Sequence, residues 1–188
     1  MQRRDLLRAV GGATAFALLP LEAVAAWSRV ASGVRVAEGL SDAQIALVGA
    51  IGDTILPRTD TPSATDVAVP AFVNVIVGEN YVDAQRTQFL AGLDAFDAKA
   101  KTDTGTSFVD LSPSARGSFL EALEAAPRTG EPSRTYWRLK GLVLHGYFTS
   151  ERVSRDVLHT EIMPGRFDGS APLRAPAAKS GGEEHHHA

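Results

Sequence analysis

The chain has 188 residues, enough for one domain with tails, and contains no cysteine, which excludes disulfides, thiolate metal sites and thiol nucleophiles. Its formal net charge of −3 provides no broad positive field, so nucleic acid is not an expected partner. Hydrophobic residues at 44% and charged residues at 22% are typical of a globular protein, and no segment offers the ~20 uninterrupted apolar residues of a membrane-spanning helix.

Residues 1–26 have the pattern of an export leader. A charged start is followed by the apolar run 9–19, by Pro20, and by the small residues Ala-Val-Ala-Ala at 23–26, a spacing that a signal peptidase accepts. The start matches the twin-arginine consensus through Arg3, Arg4, Leu6, Leu7 and Arg8. We therefore expect a periplasmic protein and the twin-arginine translocon as a partner. An amphipathic helix packed on the core, and a leader that is never cut, stay open as alternatives.

Residues 27–40 show no firm hydrophobic period, which predicts a linker or an irregular amino-terminal arm. A first helix then begins with the capping-box pair Ser41 and Gln44 and ends before Pro57. Pro70 is suited to the first turn of a second, short helix.

Three further helices are predicted: one that opens at Asp83, one that starts with Ser112 as N-cap followed by proline, and one over Ser133–His145. Their apolar stripes and that of the second helix supply the expected core, which comprises Phe72, Val73, Ile76, Val77, Phe89, Leu93, Phe96, Phe119, Leu120, Leu123, Tyr136, Leu139 and Val143.

Polar segments separate these helices, and Thr102–Val109 is expected to be one such loop. Because no alternating strand pattern with a tight hairpin turn is present, we predict an all-α fold, a compact single-domain bundle of about five to six helices. This domain spans residues 41–173 and includes long loops and an extended carboxy-terminal arm. Residues 174–188, rich in Ala, Pro, Gly, Glu and His, are expected to be a disordered tail.

Three stretches, in this order, resemble one family. They are Ile-Gly-Asp-Thr-Ile-Leu-Pro-Arg-Thr-Asp-Thr-Pro-Ser-Ala at 51–64, Gly-Tyr-Phe-Thr-Ser-Glu at 146–151, and Met-Pro-Gly-Arg-Phe-Asp-Gly at 163–169. Together they resemble the gluconate 2-dehydrogenase subunit 3 family, and the resemblance covers roughly residues 41–173. One departure is local: Arg152-Val153 follows the second stretch, where the family usually has Ile-Gly.

The resemblance implies a non-catalytic, γ-type small subunit of a dehydrogenase complex that oxidises CH–OH groups of sugars, polyols or glycosides. It places FAD in a large flavoprotein of the glucose–methanol–choline (GMC) type and haem in a cytochrome c partner, with no cofactor in this chain. The small subunit would carry the leader, escort and stabilise the flavoprotein, and associate with the membrane through the complex. A cofactor-free exported enzyme and a solitary periplasmic binding module remain the alternatives.

Residues with catalytic or metal-binding chemistry are few. Asp53, Asp60 and Asp66 cluster near one loop, where helix capping and side-chain turns are the favoured interpretation over metal binding. His145 and His159 lack metal-ligand spacing and are expected to be structural, while the histidines at 185–187 fall in the tail. Gly-x-Ser-x-Gly and Gly-x-Gly-x-x-Gly are absent, so neither a nucleophile elbow nor a nucleotide-binding loop is predicted.

The segment Tyr147-Phe148-Thr149-Ser150-Glu151 is the most suggestive part of the chain. Two adjacent aromatics cannot easily enter one small core, so one of them is a candidate anchor for a partner. The hydroxyl of Ser150 or Thr149 is expected to cap a following helix that begins near Glu151. The candidate partner interface comprises Tyr147, Phe148, Glu151, Pro164, Gly165, Phe167 and Pro172.

Overall fold

The computed structural model describes residues 21–33, 36 and 39–160. The predicted twin-arginine residues, the carboxy-terminal arm after Thr160 and the tail lie outside the described residues. Within the described part there is no β-strand, and the expected all-α fold is confirmed. No helix in this part combines the length and the apolar character needed to cross a membrane.

The described residues form six α-helices. Their bounds are α1 Leu21–Ala31, α2 Asp42–Ile55, α3 Val69–Val75, α4 Asp83–Thr104, α5 Pro113–Ala125 and α6 Glu131–Thr149. Single 3₁₀ turns lie at Thr65–Val67 and Phe108–Asp110, and π-helical turns at Ile76–Asn80 and Val153–Val157. The π turn at 76–80 continues α3, and the one at 153–157 follows α6.

The predicted helix starts are confirmed by their hydrogen bonds. At α2 the Gln44 backbone N–H donates to Ser41 Oγ (3.3 Å) while the Ser41 N–H donates to Gln44 Oε1 (3.1 Å), which is the complete capping box. At α5 Ser112 Oγ accepts from the Ala115 N–H (3.3 Å), with Pro113 in the first turn. These two helices begin where local side-chain chemistry places them.

Two predicted helix boundaries are wrong. The α4 helix continues to Thr104, three residues into the predicted loop, and ends at Gly105 with φ +86°. Phe108, also predicted to lie in that loop, is fully buried and packs edge-on against Phe96 (centroids 5.3 Å apart). The last helix begins at Glu131 and runs to Thr149, instead of covering only Ser133–His145.

The core centres on α4 and α6, which pack against each other along their lengths. Phe96 of α4 lies within ring-contact distance of Phe119 (5.5 Å) and Tyr136 (6.1 Å). Burial raises the pKa of the Tyr136 phenol, and its hydrogen bond to Glu124 raises it further. Lys140 Nζ donates to the same Glu124 carboxylate (2.6 Å), so this carboxylate accepts from both the phenol and the ammonium group.

Residues 27–31 are helical and correct the prediction of an irregular arm over 27–40. They belong to α1, which lies against α3 and the carboxy-terminal part of α6. Ala23 and Ala26 face the core with 2% of their surface exposed. The helix crosses the predicted end of the leader at residue 26, while cleavage there stays a prediction.

Candidate partner-binding surface

Three contacts hold α1 on the domain. The Trp27 ring stacks on the fully buried Phe72 (centroids 5.1 Å apart, planes at 29°), and Trp27 Nε1 donates to Thr149 Oγ1 (3.0 Å). Arg29 forms a forked ion pair with Glu79, with Nη2 2.6 Å and Nε 3.0 Å from Oε1. These contacts join α1 to α3, to the π turn that follows α3, and to the end of α6.

A groove of about 730 Å³ lies between α1 and the end of α6. Val24 and Trp27 form part of one wall, while Phe148 of α6 lies on the other. Val24 and Phe148 are 36% and 48% exposed, which is unusual for large apolar side chains of a folded domain. Ser154 and Arg155, on the π turn after α6, complete the groove with polar atoms. The surface therefore has an apolar centre and a polar edge, as protein interfaces do.

The charged edge of the groove includes an ion pair between Glu151 and Arg155, both largely exposed. Pairs of this kind stabilise a fold by only about 0–1 kcal/mol, because water and salt screen them. Glu151 thus lies at the surface proposed for a partner, where it is available for polar contacts.

Tyr147 is not part of this surface. Its side chain is 5% exposed, and its hydroxyl donates to the Pro62 carbonyl (2.8 Å), which fastens the loop before α3 to α6. The adjacent Phe148 ring stands at 90° to the Tyr147 ring and points outward. The expectation that the two aromatics do not both enter the core is confirmed, and of the two only Phe148 is accessible to a partner.

Ser150 provides the helix cap expected from this segment. Its Oγ donates to the Tyr147 carbonyl (2.7 Å) and accepts from the Val153 N–H (3.4 Å). The buried Ser150 therefore directs the chain from α6 into the π turn that carries the polar groove residues. The other predicted interface residues, Pro164, Gly165, Phe167 and Pro172, lie outside the described part of the chain.

Asp53, in the last turn of α2, and Asp60 and Asp66, between α2 and α3, accept hydrogen bonds from nearby groups. The Asp53 carboxylate accepts from Thr65 twice, from its backbone N–H (2.8 Å) and from Oγ1 (2.7 Å). Asp66 accepts from the Ser63 N–H (2.9 Å), and this bond is the main cause of the lowered pKa of Asp66. Asp60 accepts only from Thr59 Oγ1 (2.9 Å). Each carboxylate thus has a local hydrogen-bonding function.

We expect Asp53→Ala to lower the free energy of unfolding by about 1–2 kcal/mol, because two hydrogen bonds to Thr65 are lost. The matched control is Asp60→Ala, on the exposed segment that follows α2, which should change it by less than about 0.5 kcal/mol. Urea denaturation measures both. If the loop were a metal site instead, a divalent cation would raise the melting temperature of the native chain and both substitutions would abolish that rise.

The two histidines do not form a common site. His145 is half-buried, with its ring 5.9 Å from that of Phe72, whereas His159 is exposed and its Nδ1 lies 3.1 Å from the Arg155 carbonyl oxygen. Among residues 21–33, 36 and 39–160, no three His, Asp or Glu side chains are grouped so that they could hold a metal ion. The histidines at 185–187 lie outside this range.

A second depression of about 450 Å³ lies beside α2 and α4 and is lined by both polar and apolar side chains. Gln44 Nε2 donates to Asp94 Oδ1 (2.9 Å), and Ser107 Oγ donates to Asp97 Oδ1 (2.7 Å). Burial acts to raise the pKa of Asp97, but hydrogen bonds from Lys101 and Ser107 outweigh it, and the pKa is lowered. These polar groups already pair with one another, and their hydrogen bonds connect α2 and the segment after α4 to α4.

The fold and the groove define a small helical protein with an exposed surface that suits a protein partner. A sequence profile of the family described as Gluconate 2-dehydrogenase subunit 3 matches residues 42–165. The chain belongs to this family, as its three motifs predict, and is therefore an accessory subunit of a dehydrogenase complex with a catalytic partner. No curated protein and no solved structure is significantly similar to it.

Proposed function

We propose that this chain is the non-catalytic small subunit of a periplasmic, FAD-dependent dehydrogenase of the GMC type that oxidises CH–OH groups of sugars, polyols or glycosides. The observation that supports the proposal is the family match over residues 42–165, since the family is described as subunit 3 of a gluconate 2-dehydrogenase. FAD would lie in the large partner, and a cytochrome c with haem would receive the electrons.

The groove between α1 and α6 is the surface we assign to the flavoprotein. Aromatic side chains at the centre of an interface contribute most to affinity when the partner excludes water from them. Phe148 has this character, because nearly half of its surface is exposed while its neighbour Tyr147 is anchored in the core. The exposed Glu151 and Arg155 would form the polar rim.

An escort function would explain why a subunit without a cofactor of its own uses the twin-arginine route. That route exports folded proteins, and FAD must be inserted before export. A flavoprotein without a leader could cross the membrane only while bound to a chain that has one. Escort and stabilisation are then one function, since binding to the folded partner also shifts the folding equilibrium of both chains.

The interface is tested with Phe148→Glu in the full-length chain, expressed with its flavoprotein. We expect the amount of flavoprotein recovered with this chain to fall by about tenfold or more, because an aromatic anchor that the partner would bury is replaced by a charge. Recovery is measured as flavin absorbance per mole of captured small subunit.

Val82→Glu is the matched control, because Val82 is 63% exposed and does not line the groove. It should leave recovery within about twofold of the native chain. Equal losses for both variants, or full recovery with Phe148→Glu, would contradict the assignment of the groove.

The groove also supports a second candidate, a solitary periplasmic binding module. Its volume of about 730 Å³ falls within the range of small-molecule pockets, and its lining is largely apolar. Under this function a small apolar ligand would raise the melting temperature of the isolated chain, and no flavoprotein would accompany it from the cell.

A further inference from the structure

The predicted processing site of the leader lies inside a folded helix. Its small residues at 23–26 belong to α1, and Ala23 and Ala26 are packed against the core with 2% of their surface exposed. Proteases cleave exposed segments that can adopt an extended conformation. A buried helical segment is cleaved only after local unfolding. In the folded subunit the site is therefore protected by its own tertiary contacts.

The protection depends on residues that follow the site. Trp27, directly after the predicted cleavage point, is held by its stacking on Phe72 and by its hydrogen bond to Thr149. Two residues later, Arg29 is fixed by its forked ion pair with Glu79. To present residues 23–26 in an extended form, the chain must unwind the first half of α1 and withdraw Ala23 and Ala26 from the core, while these contacts hold the second half in place.

We propose that the leader stays covalently attached to the exported subunit, because α1 buries the processing site before a peptidase can reach it. The inference rests on the proposed twin-arginine export, which delivers the chain already folded. It also bears on the partner surface, since Ala23 and Val24 line the groove and precede the cleavage point. An intact α1 keeps both walls of the groove, whereas a chain cut after Ala26 would lose part of one.

Tryptic mapping of the subunit from the host envelope tests this directly. Residues 9–29 lie between the consecutive trypsin sites Arg8 and Arg29 and span the predicted cut, so this one peptide reports an uncut leader. We expect it from the native chain and from Ser28→Ala, an exposed position on α1. In Trp27→Ala the ratio of uncut to cut chain should fall by about tenfold, because α1 opens more often.

A fusion of residues 1–28 to an unrelated folded protein separates burial from the sequence of the site. We expect this fusion to be cut, since α1 has no core to pack against. A native chain cut at residues 23–26, or a fusion that stays uncut, would overturn the inference while leaving the subunit function intact. If Arg3→Lys with Arg4→Lys has no effect on the export of either protein, the twin-arginine leader is refuted, and the inference with it.

Discussion

Replacing Phe72 with alanine is expected to lower the free energy of unfolding by about 3–5 kcal/mol. Phe72 is fully buried on α3, where one side of its ring stacks on Trp27 and Gly146 of α6 approaches it closely. A Cβ at Gly146 would lie 2.7 Å from Phe72 Cδ1, so α6 passes directly over the ring. The alanine variant leaves a cavity that α1, α3 and α6 all border, and urea denaturation followed by circular dichroism measures the loss.

Phe148→Ala is the matched control for this prediction. It removes the same ring from a side chain that is 48% exposed, so the free energy of unfolding should change by less than about 0.5 kcal/mol. A large loss at Phe148, or a negligible one at Phe72, would show that the two aromatics have been assigned to the wrong roles.

Gly92→Ala is expected to lower the free energy of unfolding by about 1–3 kcal/mol, although alanine favours a helix more than glycine does. Gly92 lies where α4 meets α6, and a Cβ there would stand 2.8 Å from Thr135 Cβ and 3.0 Å from its Cγ2. Because Thr135 Cβ is fixed to the backbone and the residue is buried, a change of rotamer cannot relieve the contact. The helices α4 and α6 must move apart, and thermal or urea denaturation measures the resulting loss of stability.

For Gly141 on α6 we expect the opposite effect on stability. A Cβ at this position meets no atom within 4 Å, so Gly141→Ala should stabilise the chain by about 0.5–1 kcal/mol through helix propensity alone. Stabilisation by both substitutions would contradict the close approach of α4 and α6, and destabilisation by both would point to a cause other than packing.

The parts of the fold that could be predicted are those determined by local chemistry. Short stretches of sequence determine the capping box at Ser41 and Gln44, the Ser112 cap and the apolar stripe of α4. The structure confirms all three. The burial of Phe108 depends instead on the rings of Phe96 and Phe119, which lie on other elements. No local pattern could indicate it.

The groove depends even more on distant contacts. Trp27 and Phe72 are far apart in the chain, and the small apolar residues before Trp27 have the same composition whether they serve as a leader or as a packed helix. The sequence indicated that Tyr147 and Phe148 do not both enter the core, yet only the structure, through the burial of Tyr147 and its hydrogen bond to the Pro62 carbonyl, shows which of them is internal. The polar groove residues are placed by a π turn, a feature with no local sequence signal.

The central claim is that this chain binds and escorts a catalytic flavoprotein, and the most direct test is the visible spectrum of the complex captured through it. The full-length chain is isolated at native expression level from the periplasm of its host. We predict flavin absorbance and a larger chain in fixed proportion to the small subunit, both lost from the periplasm when Arg3 and Arg4 are changed to lysine. A colourless, well-folded chain that is exported alone would contradict the claim.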